Sequence, residues 1–238
     1  MEIATESGVA LVVSDDRADA RCLMVLTHGA GGGADSPDLL AARRAGLESG
    51  AVVARVIQPW RAAGARVPGS VPRQDQAWLQ VIAALRETRP GVPLIQGGRS
   101  NGARLACRTA RSAGAVGVIA LAFPLHPPGR AGDPGRSRAG ELRDAGVPVL
   151  VVNGERDPFG IPAPEDASRL VVLPDEAHAL SRHPERVEVA VRDWLGELLS
   201  GGPDSALPGL VSRSGSGPWA GAGRWCHRLG GAPRCPRR

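Results

Sequence analysis

Short apolar runs alternate along the first 200 residues with longer segments in which apolar side chains recur at helical spacing. The short runs are almost continuously apolar, which is typical of strands covered on both faces of a sheet. They predict strands at residues 9–13, 22–27, 52–57, 92–96, 116–121, 147–152 and 170–173. The helical spacing predicts helices at residues 37–48, 74–88, 103–112, 137–144 and 184–199. This alternation predicts the α/β class, with a mostly parallel sheet of about seven strands flanked by helices.

The periodic pattern ends at Leu199. Residues 201–238 are rich in Gly, Pro, Ser and Arg and have no periodic apolar face, which predicts a disordered tail after one domain at residues 1–200. The net charge of +5 belongs to this tail, since residues 201–238 hold 6 Arg and 1 Asp whereas residues 1–200 hold 23 Arg and 23 acidic residues. A basic arm for RNA or for an acidic surface is a less favoured interpretation, because the tail has a motif for neither. We therefore expect no nucleic-acid partner.

The spacing of the cysteines indicates whether the chain binds a metal, and the amino-terminal segment indicates where in the cell it is located. The four cysteines form no C-x-x-C pair, and Cys226, His227 and Cys235 have the wrong spacing for zinc, so we expect free thiols and no metal. The first residues are acidic, and no apolar run is long enough for a signal peptide or a membrane span. The expectation is a cytoplasmic protein that does not bind membranes. The sequence leaves its oligomeric state open.

The run Gly98-Arg99-Ser100-Asn101-Gly102 follows a predicted strand directly and leads into a predicted helix. This is the context of a nucleophile elbow, in which a sharp turn exposes a serine hydroxyl. Small residues are needed two positions on either side, because side chains there would collide with neighbouring backbone. Gly98 and Gly102 meet that need, and the helix amino terminus favours negative charge beside the serine. Ser100 is therefore the candidate nucleophile.

A serine hydroxyl needs a general base, and the base needs an acid to orient it. Asp157 follows the strand at residues 147–152, and His178 follows the strand at residues 170–173, so both would lie at the same edge of the sheet as Ser100. Glu155 is an alternative acid two residues earlier in the same loop. Asp175 and Glu176 are too near His178 in the chain to orient it easily. The predicted catalytic residues are Ser100, Asp157 and His178.

A second strand runs into a glycine loop at His28-Gly29-Ala30-Gly31-Gly32-Gly33. Small residues there allow a backbone N–H to approach a developing oxyanion. We assign the backbone N–H groups of Ala30 and Asn101 to an oxyanion hole.

The same loop allows a competing interpretation, because Gly29-x-Gly31-x-x-Ala34 matches a relaxed dinucleotide fingerprint. That fingerprint requires an acidic residue at the end of the next strand, where this chain has Gln58 instead. Arg55 or Arg61 could receive the 2′-phosphate of NADP, so this alternative stays open, while the lack of Gly-Lys-Ser/Thr excludes a P-loop. The favoured interpretation needs no cofactor.

Together with residues 123–129, 154–160 and 177–178, these motifs resemble the α/β-hydrolase superfamily over about residues 20–199. The closest resemblance is to its dienelactone-hydrolase-like branch, which includes the testis-expressed and non-specific-lethal-complex-related proteins. The resemblance implies a triad of Ser100, Asp157 and His178. Some members of this branch act as scaffolds, which implies a non-catalytic binding protein as the alternative function. Asn101 departs from the family pattern, where many relatives have Met.

Only residues 122–146 separate two predicted strands at the point where many esterases insert a helical cap, so we expect no large cap domain and an open site. The predicted function is hydrolysis of an ester or thioester of a small or exposed acyl group, through an acyl-enzyme on a small-molecule substrate. Arg61 and Arg66 would lie nearby if the loops fold over. The predicted substrate-binding residues are His28, Trp60, Arg99, Phe123, His126 and Phe159, with Leu125 beside them.

Overall fold

A computed structural model describes residues 1–200 of the chain. The predicted tail, residues 201–238, lies outside the described residues. The strands are β1 (Glu2–Thr5), β2 (Gly8–Asp15), β3 (Cys22–Thr27), β4 (Ala51–Ile57), β5 (Leu94–Arg99), β6 (Ala115–Leu121), β7 (Val149–Gly154) and β8 (Arg169–Leu173). The helices are α1 (Pro37–Glu48), α2 (Pro59–Ala62), α3 (Val71–Glu87), α4 (Asn101–Ala113), α5 (Ala139–Arg143) and α6 (Pro184–Ser200).

The eight strands form a single sheet in the order β1-β2-β4-β3-β5-β6-β7-β8. Strand β2 pairs antiparallel with both of its neighbours, and the pairs from β4 through β8 are all parallel. The structure contains every predicted strand and adds β1, which the sequence pattern did not reveal because only Ile3 of its four residues is buried. The sheet therefore has eight strands rather than about seven.

Helices cover both faces of the sheet, and alternate residues of each strand point to opposite sides. In β3, Leu23 and Val25 pack into the core beneath α3, α4 and α5, whereas Met24 and Leu26 pack into the core beneath α1 and α6. All six residues of β3 are buried. Burial on both faces explains why this strand reads as an unbroken apolar run.

The carboxyl ends of β3, β5, β7 and β8 meet at one edge of the sheet, where open α/β sheets bind their ligands. Strand β5 runs into Ser100, β7 into the loop that holds Asp157, and β8 into the loop that holds His178. Between β6 and β7 the chain forms one 3-10 turn (Pro134–Arg136) and the short helix α5. A large cap is therefore missing from the described part of the chain.

Within residues 1–200, none of the helices is both long and apolar enough to cross a lipid bilayer. The cytoplasmic location expected from the sequence stays a prediction.

Candidate active site

Ser100 sits at the junction of β5 and α4 in a conformation that non-glycine residues rarely adopt. Its φ is 52° and its ψ is −114°. A backbone of this kind costs free energy and persists only where the flanking structure holds it in place. Here the Ser100 N–H donates to the carbonyl oxygen of Leu121 in β6 at 2.9 Å, and α4 begins at the next residue. The strand and the helix thus fix the serine at the carboxyl edge of the sheet.

The two glycines of the elbow are required by close backbone contacts. A Cβ at Gly98 would lie 2.5 Å from the carbonyl oxygen of Thr27, and a Cβ at Gly102 would lie 2.7 Å from the carbonyl oxygens of Thr27 and His28. These distances are shorter than real carbon–oxygen contacts, so any side chain would push β3 and its following loop away from Ser100. The elbow and the glycine loop are therefore packed backbone to backbone.

Three side chains from three loops form one hydrogen-bonded chain. His178 Nε2 lies 2.9 Å from Ser100 Oγ, and His178 Nδ1 lies 2.9 Å from Asp157 Oδ2. A carboxylate only accepts hydrogen bonds, so Nδ1 of the neutral ring carries the proton and Nε2 accepts from the serine hydroxyl. This tautomer is the one that can take a proton from Ser100.

Asp157 is held so that its carboxylate faces His178. Its side chain is fully buried, whereas His178 is 21% exposed. Asp157 Oδ1 accepts from the Phe159 N–H at 2.9 Å, and Oδ2 accepts from Asn153 Nδ2 at 3.4 Å. The Phe159 ring packs against His178 edge to face, with 4.4 Å between ring centroids. Phe159 therefore both orients the carboxylate through its backbone and restrains the imidazole through its ring.

Arg99 connects the elbow to the loop that holds His178. Its Nε donates to Asp38 Oδ2 at 2.8 Å, and one of its terminal nitrogens donates to the carbonyl oxygen of His178 at 2.9 Å. Asp38, near the start of α1, is completely buried and also accepts from Ser36 Oγ and from the Leu39 N–H. Asp38 is thus satisfied on several sides, and Arg99 provides its counter-charge.

Ala30 and Asn101, the two residues predicted to form the oxyanion hole, both line the cleft at Ser100. Among the described residues, neither the Ala30 N–H nor the Asn101 N–H has a hydrogen-bond acceptor. The His28 ring holds the first turn of the glycine loop, because Nδ1 donates to the Gly29 carbonyl oxygen at 2.8 Å and Nε2 accepts from the Gln58 N–H at 3.1 Å. The loop is therefore fixed by its neighbours while its Ala30 N–H stays available.

The cleft above Ser100 has a volume of about 420 Å³. Its lining includes six residues predicted from the sequence to belong to the site: Ala30, Arg99, Ser100, Asn101, Phe159 and His178. It also includes Gly31, Pro124 and Pro128, and two arginines that sequence reasoning missed, Arg104 and Arg138. Arg104 lies in the first turn of α4, shortly after the carboxyl end of β5, and that position is a signal that could have identified it. Arg138 lies far along the segment between β6 and β7, where the sequence gives no such signal.

Arg138 differs from Arg104 in having no carboxylate ion pair within residues 1–200. Arg104 forms a two-point ion pair with Glu141, at 2.9 and 2.6 Å. Arg138 donates only to the carbonyl oxygens of Pro124 and His126, at 3.0 and 3.2 Å, and forms no ion pair within residues 1–200. Burial, together with the nearby charge of Arg104, lowers the pKa of Arg138. The cleft therefore presents one cation without a partner.

Four residues predicted to bind substrate do not line this cleft. The side chain of His28 is fully buried and bonded to backbone, and Phe123 is fully buried in the core under α4. His126 is buried, and its Nδ1 has no partner within residues 1–200. Trp60 lines a separate cavity. These residues were predicted to bind substrate because they lie close to the ends of strands. Their side chains, however, turn into the core or towards another helix.

The alternative residues weighed from the sequence have other contacts. Glu155 accepts from the Asp175 N–H at 3.3 Å, and the buried Glu176 accepts from the His183 N–H at 2.5 Å. The arginines proposed for NADP are also engaged, since Arg55 pairs with Asp35 and Arg61 lies 6.0 Å from the ring centroid of Trp60.

The described residues contain no group of three or more His, Cys, Asp or Glu side chains that could hold a metal ion. Cys22 and Cys107 are buried free thiols. Burial raises the pKa of Cys22 to about 11 and raises that of Cys107 further. These two thiols stay protonated at neutral pH, so neither is a competing nucleophile.

Comparison with known proteins identifies the fold. A family model described as an alpha/beta hydrolase domain matches residues 20–179. Est1E from Butyrivibrio proteoclasticus superposes with a TM-score of 0.70 at 17% identity, over 84% of this chain and 99% of that one. A serine hydrolase without a lid from Xanthomonas campestris gives 0.62 at 21% identity, over 82% and 93%. A dienelactone hydrolase from Anabaena variabilis gives 0.64 at 15% identity, over 83% and 95%. No curated protein sequence matches the chain.

At such low identities these structural neighbours establish the fold alone. They confirm the predicted fold class, a mostly parallel sheet flanked by helices without a large cap.

Proposed function

The chain belongs to the alpha/beta hydrolase family, and from this premise we propose that it is a serine hydrolase that cleaves an ester or thioester of a small or exposed acyl group. The observation that carries this proposal is the hydrogen-bonded chain Asp157–His178–Ser100, which ends in a cleft beside two unpaired backbone donors. A buried carboxylate, an oriented imidazole and a strained serine serve acyl transfer when they occur together.

The proposed reaction proceeds in two steps through the same residues. His178 Nε2 removes the proton from Ser100 Oγ as that oxygen bonds to the substrate carbonyl carbon, and Asp157 stabilises the resulting imidazolium. The Ala30 and Asn101 N–H groups bind the oxyanion, each contributing about 3 kcal/mol to lowering the barrier. His178 then protonates the leaving alcohol or thiol. In the second step a water molecule, activated by His178, cleaves the acyl-Ser100 ester.

The lining of the cleft supports a substrate with a negative charge near the scissile bond. Arg138 borders the cleft and has no carboxylate ion pair among the described residues 1–200, whereas Arg99 and Arg104 are already paired with Asp38 and Glu141. A substrate carboxylate or phosphate would supply the missing counter-charge of Arg138. Arg138 is thus the arginine of the cleft best placed to bind a charged substrate group. A place in the dienelactone-hydrolase-like branch is part of this proposal, because the Anabaena variabilis neighbour carries that name.

Covalent labelling tests whether Ser100 is activated. The full chain should react with a fluorophosphonate probe and hydrolyse short-chain aryl esters, and Ser100→Ala should do neither. Ser112→Ala, at an ordinary helical serine in α4, is the matched control and should behave like the wild type. If a correctly folded wild-type protein resists the probe and hydrolyses none of the esters, the hydrolase proposal is wrong and the scaffold alternative is favoured.

A further inference from the structure

A second cavity, of about 250 Å³, lies beside the active-site cleft and shares none of its lining residues. It is partly open to solvent and is lined by α2, α3, the end of β4, the first half of α4 and the turn between β1 and β2. The catalytic chain from Asp157 to Ser100 does not use this cavity, which makes it a candidate for a separate ligand.

The deep wall of this cavity is apolar, while Ser7, Gln58 and Gln74 contribute polar groups to its lining. Its deep wall contains Trp78, Val56 and Leu105, all at least 98% buried, and Trp60 closes one side. Its charged lining residues, Glu6 and Arg73, are exposed. A charged ligand group would lose its water without gaining a buried partner, so the interior favours an uncharged molecule. An apolar cavity of about 150 Å³ can hold benzene, so 250 Å³ suits one aromatic ring with a small substituent.

The free hydrogen-bonding groups of two buried glutamines indicate which polar group a ligand of this cavity should have. Gln58 Oε1 accepts from Trp60 Nε1, and Gln58 Nε2 donates to Thr27 Oγ1 and to the His28 carbonyl oxygen. Gln74 Oε1 accepts from Asn101 Nδ2, and its Nε2 donates to the Gly69 carbonyl oxygen. An amide oxygen can accept two hydrogen bonds and an amide nitrogen can donate two. The side-chain oxygens of Gln58 and Gln74 can therefore each accept one more hydrogen bond, and the side-chain nitrogen of Gln74 can donate one more. A ligand carboxamide matches this set of free donors and acceptors.

The same glutamines reach the residues beside Ser100. The 2.7 Å hydrogen bond from Asn101 to Gln74 joins the cavity wall to the first residue of α4, which lines the active-site cleft. The Gln58 N–H donates to the ring of His28, which is two residues before Ala30. A molecule that bonds to Gln74 therefore contacts a residue bonded to Asn101, and one that bonds to Gln58 contacts a residue bonded to His28.

We propose that this cavity binds a small uncharged aromatic carboxamide, and that its occupancy changes the position of the Asn101 and Ala30 N–H groups. Binding does not depend on the proposed hydrolase function, whereas an effect on turnover rests on it. The cavity would then be a regulatory site that acts on the oxyanion hole through two hydrogen bonds.

Benzamide is the probe, titrated into the ¹⁵N-labelled full chain and followed by two-dimensional NMR. The indole N–H signals of Trp60 and Trp78 should shift and saturate at millimolar benzamide, and the Asn101 backbone signal should shift with them. Trp60→Phe identifies one indole signal. Trp194, which packs in the core on the opposite face of the sheet, is the internal control and should not move.

Ala77 lies in the wall of the cavity, and two substitutions at this position fill the cavity to different degrees. Ala77→Leu should abolish the shifts, and the smaller Ala77→Val should weaken binding several-fold, so the test survives if the larger side chain prevents folding. Ser100→Ala should bind benzamide as the wild type does, which separates this proposal from the hydrolase proposal. Unshifted Trp60 and Trp78 signals, or equal shifts in a folded Ala77→Leu variant, would overturn binding. An unmoved Asn101 signal at saturation would overturn the coupling.

Discussion

The carbonyl oxygen of His178 accepts a 2.9 Å hydrogen bond from the guanidinium of Arg99, the residue immediately before Ser100. The loop that holds the proposed general base is thus tied directly to the elbow that holds the proposed nucleophile. The same guanidinium neutralises the buried carboxylate of Asp38, so positioning and stability depend on one side chain.

Arg99→Met should lower both stability and activity. It leaves the Asp38 carboxylate buried without its counter-charge, which costs about 3 kcal/mol, measurable by urea denaturation. Adding Asp38→Asn should restore most of the stability but not kcat, because the bond to the His178 loop stays broken. Arg44→Met removes a surface pair with Glu188 and should cost less than about 1 kcal/mol. If the double variant recovered full activity, the Arg99–His178 bond would have no positioning role.

Asp157→Asn should reduce kcat by about four orders of magnitude while leaving the fold intact. An amide can donate to His178 Nδ1 and so favours the tautomer with its proton on Nε2, which cannot accept from Ser100. Steady-state hydrolysis of an aryl ester measures the loss. Glu155→Gln is the matched control in the same loop and should change kcat less than about twofold. The opposite ranking of these two variants would make Glu155 the acid.

Arg138→Met should remove a preference for negatively charged substrates. A charge-assisted hydrogen bond contributes about 1.5–3 kcal/mol, so kcat/KM for an ester with a carboxylate should fall about 10- to 100-fold relative to that for a neutral ester. Arg136→Met, at an exposed arginine outside the cleft, should leave the ratio unchanged. An equal loss on both esters would show that Arg138 only supports the loop.

His28 should make the fold sensitive to mild acid. Burial lowers the pKa of His28 below its ordinary value of about 6.5. Below about pH 6.5 the unfolded chain binds a proton at this residue that the folded chain excludes, so the free energy of unfolding falls as pH falls. His28→Gln, which cannot titrate, should show a shallower decrease between pH 7 and pH 5 in urea denaturation. Identical slopes for wild type and His28→Gln would contradict this assignment.

The sequence predicted the backbone of the site better than its side chains. Every predicted strand is present, and central strands such as β3 are buried on both faces and so form a continuous apolar run. Ser100, Asp157 and His178 come together because each lies in the turn or loop that follows a strand of the parallel part of the sheet. The direction in which a loop side chain points depends on contacts distant in the chain, and Phe123 and Trp60 turned away from the cleft for that reason.

The sequence did not identify Arg138 as a cleft residue, for a similar reason. Nothing in its local sequence separates it from the surrounding surface arginines, and only the absence of a carboxylate partner within residues 1–200 distinguishes it. The lack of a carboxylate partner depends on how the chain folds, so no sequence motif could have revealed it.

The segment between β6 and β7 holds one short helix and one turn, so the described part of the chain has no cap domain over the 420 Å³ cleft. Recognition would then be confined to the atoms closest to the scissile bond, and whatever extends further would remain in solvent. Under the proposed function, the size of the leaving group would not limit turnover. An acyl group carried on a protein surface or on a long polymer would be as accessible to Ser100 as one on a small alcohol.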